Sequence, residues 1–454
     1  MNRDLTKENP GSVLLRFCLP LFFSALVQQL YVVTDSLVAG RFISEGALAA
    51  VGNTYQITLL YQALAFGAAM GVSVVVSRLF GAGKEREVRA AVSTAMIAAA
   101  LFCALLTVLG LLGSGALLRL IRTPAEVFLH SKQYLLLYTI GLLSLFLYQI
   151  SLGVFAALGD AKTPSLFLTL SSLVNIALDL LFVVRFRLGV AGIAFATLLC
   201  QASSAIIALA ILAKRLRGMQ SKGYEERAVQ FSRPLLQEML QIALPVTLQQ
   251  LIVSMGNVLI QANVNSFGSG VSAGYAAAIK MNNMAISALM AFDKGMATFA
   301  AQNIGAKKPE RIRSGRNAAV LLSVSFGVTI AALFFVFRAD LLRLFLGSGS
   351  AEAMLAGEQF FLIVIPFYLF VSVKIACDGA LRGLGAMRQL LTGTFVDLSL
   401  RVGCGFLFSA IWGPVGIWAA WPVGWITGTA LSAAFTANAL RATRIGADAG
   451  SETH

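Results

Sequence analysis

The sequence predicts an all-α polytopic membrane protein with twelve transmembrane helices. Only 12% of its 454 residues are charged and 58% are hydrophobic, whereas a soluble protein carries about 25% charged residues. Apolar runs long enough to cross a bilayer recur along the whole chain. These runs lie near 14–40, 47–77, 90–113, 132–158, 164–184, 189–213, 236–264, 271–300, 317–337, 357–380, 389–411 and 414–440.

The basic residues predict the orientation of these spans. An even number of spans places both termini on one side, and 23 of the 35 Lys and Arg residues lie in loops on that side, against 8 opposite. Cytoplasmic loops carry such an excess, so we expect a multi-pass protein of the inner (plasma) membrane with cytoplasmic termini. The net charge of +14 then reflects orientation in the lipid bilayer, and we expect no nucleic-acid partner.

The two halves of the chain repeat each other. Pro20 recurs as Pro245, and SRLFGAGKEREVR at 77–89 recurs as AQNIGAKKPERIR at 301–313. Three further glycine pairs keep nearly the same separation of 224–226 residues: Gly153 and Gly379, Gly159 and Gly385, and Gly192 and Gly416. Residues and motifs that recur in the same order at a nearly constant separation indicate an internal duplication.

Six spans in each half give the two halves the same orientation. Parallel repeats of this kind form transporters with a site between two lobes. The longest hydrophilic segment lies at the midpoint of the chain and would connect the lobes. The predicted organisation is therefore an N-lobe at 1–213, a cytoplasmic inter-lobe loop at 214–233 and a C-lobe at 234–454.

Two aspartates inside the spans have no cation within four residues along their helices. Asp35 and Asp179 each lie about five residues from the outer end of a span, and Asn175 and Thr197 fall at similar depth. A carboxylate in hydrocarbon costs about 2.5–3.5 kcal/mol on insertion scales, which makes it a functional hypothesis. Together these side chains could bind a hard cation or share a proton. The alternative is that each aspartate caps backbone or pairs with Arg185.

A different set of charges lies in the second half. Lys374 and Asp378 are spaced i, i+4, as are Asp397 and Arg401, so each pair shares a helix face. Asp293 lies at a similar depth, about eight residues from the cytoplasmic end of its span. We expect these five residues to form a structural ion-pair cluster, with a second coupling site as the alternative.

Amide side chains make the first and seventh spans unusually polar, so both helices are predicted to face a water-filled cleft. Pro20 and Pro245 each remove a backbone hydrogen bond and would let these helices bend. Lys280, in the eighth span, either lines the same cavity or snorkels or pairs with a distant group. The possible cleft-lining residues are Gln29, Gln250, Asn257, Gln261 and Lys280.

Other patterns have ordinary explanations. GAGK at 81–84 lacks the first glycine and the Ser or Thr of a phosphate loop, so a tight basic turn is expected. Gly67 and Gly71 form a GxxxG pattern that favours close helix packing. The five cysteines lie in apolar stretches without CxxC or a nearby His, so we expect buried hydrophobes and no metal site. No nucleophile–base set is present, which disfavours an enzyme.

Together these residues resemble the MATE (multidrug and toxic compound extrusion) transporters over essentially the whole chain. The resemblance is carried by Pro20 with Asp35, Asn175 with Asp179, GRFISEGALAAVG (40–52), SRLFGAGK (77–84), LGDAKTP (158–164) and AQNIGAKKPERIR (301–313). It implies two six-helix lobes around a V-shaped cleft. It also implies antiport of amphipathic, often cationic organic compounds against H+ or Na+, with no other cofactor.

The resemblance also suggests a branch of the family. By position, Asp35, Asn175, Asp179 and Thr197 match the first-lobe site of DinF-like members, and Pro20 matches their bending proline. NorM-like members use a glutamate in the seventh helix, where this chain has only Glu238, at the cytoplasmic end. The DinF-like branch is therefore favoured over the NorM-like branch.

The sequence thus predicts a monomeric, cation-coupled efflux antiporter of small molecules that works by alternating access. A flippase of lipid-linked glycans with a related two-lobe fold is the alternative. A flippase would favour a strongly cationic cleft, whereas the candidates in the first lobe are acidic. A membrane sensor or scaffold is a further alternative, and it would be expected to carry a large soluble domain.

Overall fold

The structure, a computed structural model, is almost entirely helical in the part that it describes. That part comprises residues 4–42, 45–121, 123–219, 231–346 and 350–451, with side chains described except at 31–33, 35–42, 45–53, 55–56 and 444–451. The α-helices in these ranges are α1 Pro10–Phe42, α2 Glu45–Gly81, α3 Glu85–Leu120, α4 Ala125–Ile140, α5 Leu142–Ala157, α6 Lys162–Leu180, α7 Gly189–Gly218, α8 Arg233–Asn265, α9 Ser269–Gly305, α10 Pro309–Val336, α11 Arg338–Leu346, α12 Ala351–Val364, α13 Tyr368–Gly383, α14 Met387–Trp412 and α15 Pro414–Ser451.

Every predicted span coincides with one helix or with a broken pair of helices. Helices α4 and α5 meet at Gly141 with a bend of 49°, and α12 and α13 are joined by the 3-10 turn Ile365–Phe367. Nine helices in the described residues are long and apolar enough to cross a membrane, or ten if α4 and α5 form one span. The remaining two spans are α9 and α15, which have 37 and 38 residues but are more polar.

Packing divides the chain into two compact units that differ from the predicted lobes. Unit 1 contains Phe23–Thr247, and unit 2 contains Asp4–Phe22 and Leu248–His454. The first part of α1 therefore belongs with the second half of the chain, and the first part of α8 belongs with the first half. Both changes of unit fall just after a proline, Pro20 in α1 and Pro245 in α8.

Close packing at glycines explains why these two helix segments lie where they do. A Cβ on Gly71 of α2 would lie 2.5 Å from the carbonyl oxygen of Met239 in α8, so only glycine permits this approach. In unit 2, Gly295 of α9 lies directly against the Sγ of Cys18 in α1. Gly71 and Gly295 occupy equivalent repeat positions, so the internal repeat relates the two contacts. The GxxxG pattern thus does pack helices closely.

Each unit has an aromatic core and an apolar outer surface. In unit 1 the stacked rings of Tyr61 and Tyr138 have centroids 6.4 Å apart, and in unit 2 Tyr275 stacks on Trp418 at 5.2 Å. Large leucines point outward instead, and Leu112 of α3 is 82% exposed. Apolar outer faces of this kind are expected where lipid rather than water is the solvent.

The turns between helices follow the internal repeat as well. Three pairs of residues with positive φ are separated by 224–226 residues, and these are Gly83 and Lys307 (70° and 55°), Gly159 and Gly385 (77° and 74°), and Gly189 and Gly413 (59° and 62°). GAGK at 81–84 closes α2 through a hydrogen bond from Lys84 N to Leu79 O of 3.0 Å. The predicted turn is thus confirmed, and the same backbone is built with glycine in one repeat and lysine in the other.

We expect Lys307→Gly to stabilise the protein by about 0.5–1 kcal/mol. The left-handed conformation costs a non-glycine residue about 1–2 kcal/mol, and the greater chain entropy of unfolded glycine offsets about 0.5–1 kcal/mol of this gain. Gly83→Lys should cost a similar amount, since no atom lies within 4 Å of a Cβ placed there. Thermal unfolding of the purified protein in detergent measures both changes. A lower melting temperature for Lys307→Gly would contradict the prediction.

Candidate functional site

Three of the four residues predicted to form a first-lobe cation site meet between α6 and α7. Asn175 and Asp179 lie one turn apart on α6 and are 3% and 0% exposed. With its amide oriented by its neighbours, Asn175 donates to Oδ2 of Asp179 at 3.2 Å and accepts from the backbone N–H of Thr197 at 3.2 Å. The hydroxyl of Thr197 donates to the carbonyl oxygen of Ile193 at 3.1 Å.

The fourth predicted residue, Asp35, lies in the part of α1 that belongs to unit 1. Its side chain is outside the described residues, as are all side chains of the segment at 40–52. Arg185, the alternative partner for the aspartates, is exposed, whereas Asp179 is fully buried. Directly after Asp179 the helix widens into a π turn, Leu181–Arg185. Such turns occur frequently at functional sites.

This arrangement suits the binding of a small cation or a proton. An ionised carboxylate buried at membrane depth needs an opposite charge or a proton to offset its lost hydration. The amide of Asn175 supplies one hydrogen bond to Asp179, which positions the carboxylate. A carboxylate held in this way is a group that can bind an ion or a proton.

The LGDAKTP turn (158–164) connects the start of α6 with the end of α7 through an ion pair. Asp160 accepts hydrogen bonds from the backbone N and hydroxyl of Thr163, at 3.1 and 2.6 Å, and pairs with Arg215 at 2.6 Å. The guanidinium of Arg215 also lies 5.6 Å from the ring centroid of Phe155. Burial opposes ionisation of Asp160, but the bonds from Thr163 and Arg215 outweigh it and lower its pKa. The turn thus fixes the helices that carry the candidate site.

In unit 2 the structure brings four of the five predicted cluster residues together. The Nζ of Lys374 lies 2.7 Å from Asp378 Oδ2 and 3.8 Å from Asp397 Oδ2. The Nε of Arg401 lies 3.9 Å from Asp397 Oδ1. Ser432 of α15 donates to Asp378 Oδ1 at 2.6 Å. These charges compensate one another between α13, α14 and α15.

Asp293 pairs instead with Arg382, a cation expected in a loop on the side of the termini. Arg382 lies in the last turn of α13, and its side chain is only 2% exposed. It forms an ion pair with Asp293 of α9 and donates to Gln249 Oε1 at 3.0 Å. Gln249 in turn donates to Thr394 Oγ1 at 2.9 Å. Its spacing of four residues from Asp378 was the signal that could have identified Arg382 as a helix residue.

The predicted cleft-lining residues have mixed surroundings. The amide of Gln261 donates to Asn265 Oδ1 at 2.7 Å. The ammonium of Lys280 lies 5.9 Å from the ring centroid of Phe345 in α11, an arrangement that attracts a cation to an aromatic ring. The two residues of this contact are far apart in the sequence, in α9 and α11. The half-buried side chains are those of Gln29, Gln250 and Gln261. The exposed ones are those of Asn257 and Lys280.

Comparison with known families identifies the chain. The model of the MatE family matches it twice, over residues 20–181 and 245–407. The chain belongs to the MATE family. Members of this family are transporters and not enzymes, so this is an integral membrane transporter of small molecules. The two matched stretches coincide with the two halves of the internal repeat.

Two curated relatives and one solved structure place the chain among MATE proteins. It is 28% identical to "Probable multidrug resistance protein YpnP" of Bacillus subtilis over 91% of this chain and 92% of the relative. It is 24% identical to the "FAD transporter" of Shewanella oneidensis over 78% of each chain. A structure described as the outward-facing conformation of a multidrug resistance MATE family transporter of the MOP superfamily matches with a TM-score of 0.91. That match has 20% identity and covers 98% of each chain, so it shows the two-lobe MATE fold alone.

Proposed function

We propose that this MATE protein is an efflux antiporter that exports amphipathic, often cationic organic compounds in exchange for H+ or Na+. The observation that carries the proposal is the buried carboxylate of Asp179, positioned by Asn175 in a membrane-embedded helix. Such a group in a transporter favours coupling to an ion. The name of the relative YpnP supports a multidrug substrate range, and the FAD transporter shows that a relative carries a dinucleotide.

In the proposed mechanism the ion binds Asp35 and Asp179 from the outer side, with Asn175 and Thr197 positioning the site. Ion binding favours a bent first helix, with the bend at Pro20, and the smaller first-lobe cavity releases substrate outward. The lobes then rock to the opposite state. Coupling requires the ion to bind the two states with different affinity. A DinF-like branch assignment fits this first-lobe site.

The excess of Lys and Arg in the loops on the side of the termini supports a protein of the inner membrane with both termini in the cytoplasm. The proposed protein works as a monomer and uses the coupling ion in place of a cofactor. Pro245 would allow the equivalent bend in α8, within the repeat-related helix.

The test is efflux of fluorescent cationic dyes from cells, with an H+ or a Na+ gradient imposed separately. Wild type should pump, and Asp35→Asn and Asp179→Asn should each lower coupled efflux about 100-fold, because the ion no longer distinguishes the two states. The matched control is Asp340→Asn, which neutralises an aspartate whose side chain is 72% exposed and should pump normally. Surface abundance is measured for every variant.

Two outcomes would contradict the proposal. If both aspartate variants pump as wild type does, the first-lobe mechanism is wrong. If wild type exports neither the dye panel nor FAD under either gradient, the antiporter proposal fails and the flippase of lipid-linked glycans becomes the next candidate. The gradient that drives wild type identifies the coupling ion.

A further inference from the structure

Two surface crevices in the described residues occupy equivalent places in the internal repeat. One, the α3–α8 crevice, lies in unit 1 between the start of α3 and the start of α8 and has a volume of about 330 Å³. The other, the α1–α10 crevice, lies in unit 2 between the first turn of α1 and the start of α10 and has a volume of about 440 Å³. Both volumes fall within the range of ligand pockets, about 300–1,000 Å³. The repeat relates them, since Glu310 and Arg311 of one correspond to Arg86 and Glu87 of the other.

The α1–α10 crevice contains a guanidinium that the surrounding structure holds in place. The Nε of Arg311 donates to Asn303 Oδ1 at 3.0 Å, and its Nη2 donates to the carbonyl oxygen of Leu5 at 3.4 Å. Its Nη1 forms no hydrogen bond with any residue that the structure describes. A guanidinium suits a phosphate group, and one that is already ordered loses little freedom on binding it.

Three further polar side chains line the same crevice. Ser314 follows Arg311 by nearly one turn of α10 and is exposed. Asn9 accepts the backbone N–H of Gly11 at 3.0 Å with its Oδ1, so the amide nitrogen is the remaining donor of this side chain. Glu310 is exposed and supplies an acceptor. The crevice therefore offers donors for a phosphate and an acceptor for a hydroxyl group beside it.

The segments that form the α1–α10 crevice have an excess of positive charge. Residues 4–16 and 307–317 contain seven Lys and Arg against three Asp and Glu, a formal charge of +4. The equivalent segments of the first repeat, 229–241 and 83–93, contain four against three, a formal charge of +1. A basic crevice between membrane-spanning helices is typical of sites for anionic lipid headgroups.

The α3–α8 crevice has the same backbone but a different chemistry. It carries Glu87 in place of Arg311 and Ala90 in place of Ser314. Glu87 pairs with Lys84 at 2.9 Å. The duplicated fold thus provides both crevices, whereas the residues for binding an anion are present in that of unit 2.

An apolar surface continues from the α1–α10 crevice along α10. The apolar spans of both helices begin beside the crevice, at Pro10 and Pro309, so the crevice lies at the surface of the bilayer. Leu321 and Val328 follow Ser314 at intervals of seven residues on one face of α10, and they are 67% and 49% exposed. These side chains can contact the acyl chains of a lipid whose headgroup occupies the crevice. This continuity favours a lipid over a soluble anion.

We propose that the α1–α10 crevice binds the headgroup of one anionic phospholipid of the phosphatidylglycerol type. The lipid phosphate accepts hydrogen bonds from Arg311 and Ser314, a glycerol hydroxyl donates to Glu310, and the acyl chains lie along α10. The bound lipid contacts both helices and stabilises unit 2. The site lies within unit 2 and requires neither a coupling ion nor a transported substrate, so it is independent of the proposed function.

The first test measures lipid binding to the purified protein in detergent by native mass spectrometry and thermal unfolding. The protein should retain one dioleoyl phosphatidylglycerol, bind it about tenfold more tightly than the uncharged-overall phosphatidylcholine or phosphatidylethanolamine, and melt at a higher temperature with it, because only this lipid has a net negative charge. Equal binding of the three lipids would overturn the proposal. Equal stabilisation by inorganic phosphate would also overturn it, since the ligand would then be a soluble anion.

Substitutions then locate the bound lipid. Arg311→Gln should weaken phosphatidylglycerol binding about tenfold, because it removes charged hydrogen bonds to the phosphate. Ser314→Phe should weaken it as much by filling the crevice, and it leaves the bonds of Arg311 to Leu5 and Asn303 in place, so it decides the question if Arg311→Gln does not fold. Arg86→Gln is the matched control, since it removes an exposed positive charge from the repeat-related crevice and should leave binding unchanged. If Ser314→Phe binds as wild type does, or if Arg86→Gln weakens binding equally, the lipid does not occupy the α1–α10 crevice.

Discussion

Replacing Arg382 with methionine should lower the free energy of unfolding by about 3–5 kcal/mol, because it leaves a buried carboxylate without its cation. Asp293 is 1% exposed. Its Oδ1 accepts no hydrogen bond from the residues that the structure describes, so the ion pair through Oδ2 carries its compensation. Gln249 would lose a hydrogen-bond donor as well. Unfolding of the purified protein in mixed micelles, followed by tryptophan fluorescence, measures the loss.

Two further variants distinguish the loss of the Arg382–Asp293 ion pair from a nonspecific loss of stability. Arg343→Met removes a pair whose side chains are 66% and 72% exposed, and it should cost less than about 1 kcal/mol. Combining Arg382→Met with Asp293→Leu removes both charges and should recover part of the stability, since an apolar pair can replace a buried ion pair. If Arg382→Met alone is as stable as wild type, the pair is not structural.

Gly379→Ala should destabilise the protein by about 3 kcal/mol, the upper end of the usual cost of overpacking. A Cβ at this position of α13 would lie 2.5 Å from the carbonyl oxygen of Asp293 and 2.9 Å from its Cα. Backbone cannot rotate away as a side chain can, so α9 and α13 would have to separate. Gly153→Ala should behave alike, because its Cβ would lie 2.7 Å from the carbonyl oxygen of Ala69.

Gly403 of α14 is the matched control for this substitution. No atom lies within 4 Å of a Cβ placed there, so Gly403→Ala should be neutral or should gain up to about 1 kcal/mol of helix propensity. The same unfolding measurement compares the variants. If Gly379→Ala and Gly403→Ala have the same free energy of unfolding, α9 and α13 are not in close contact.

Much of the fold could be predicted because hydropathy and repeat spacing report it directly. Every span was located, and the repeat reappears in the turns at Gly83 and Lys307. The breaks at Gly141 and at Ile365–Phe367 were not predicted, since an apolar run looks the same whether straight or bent. The exchange of helix segments between units was missed as well. It depends on contacts such as that of Gly295 with Cys18, which join residues far apart in the chain.

The candidate site was predicted unevenly for a physical reason. Asn175 and Asp179 are one helical turn apart, so their contact follows from their spacing. Thr197 was predicted to join them because it lies at a similar depth in the membrane. Arg382 was missed because an arginine near a helix end is usually solvated, whereas this one is buried against Asp293. The burial of residues 4–9 was not predicted, because the backbone at Leu5, and not a side chain, makes the hydrogen bonds to Gln302, Asn303 and Arg311.

The exchange of helix segments also sets an order for biosynthesis. The backbone N–H of Leu5 donates to Gln302, 297 residues further along the chain, so Leu5 leaves the ribosome long before its partner exists. At about 5–20 residues per second, translation of that stretch takes roughly 15–60 s. The first part of α1 must wait in the membrane for α9, while the first half is completed only when α8 arrives. The earliest segment to be made is thus among the last to reach its final place.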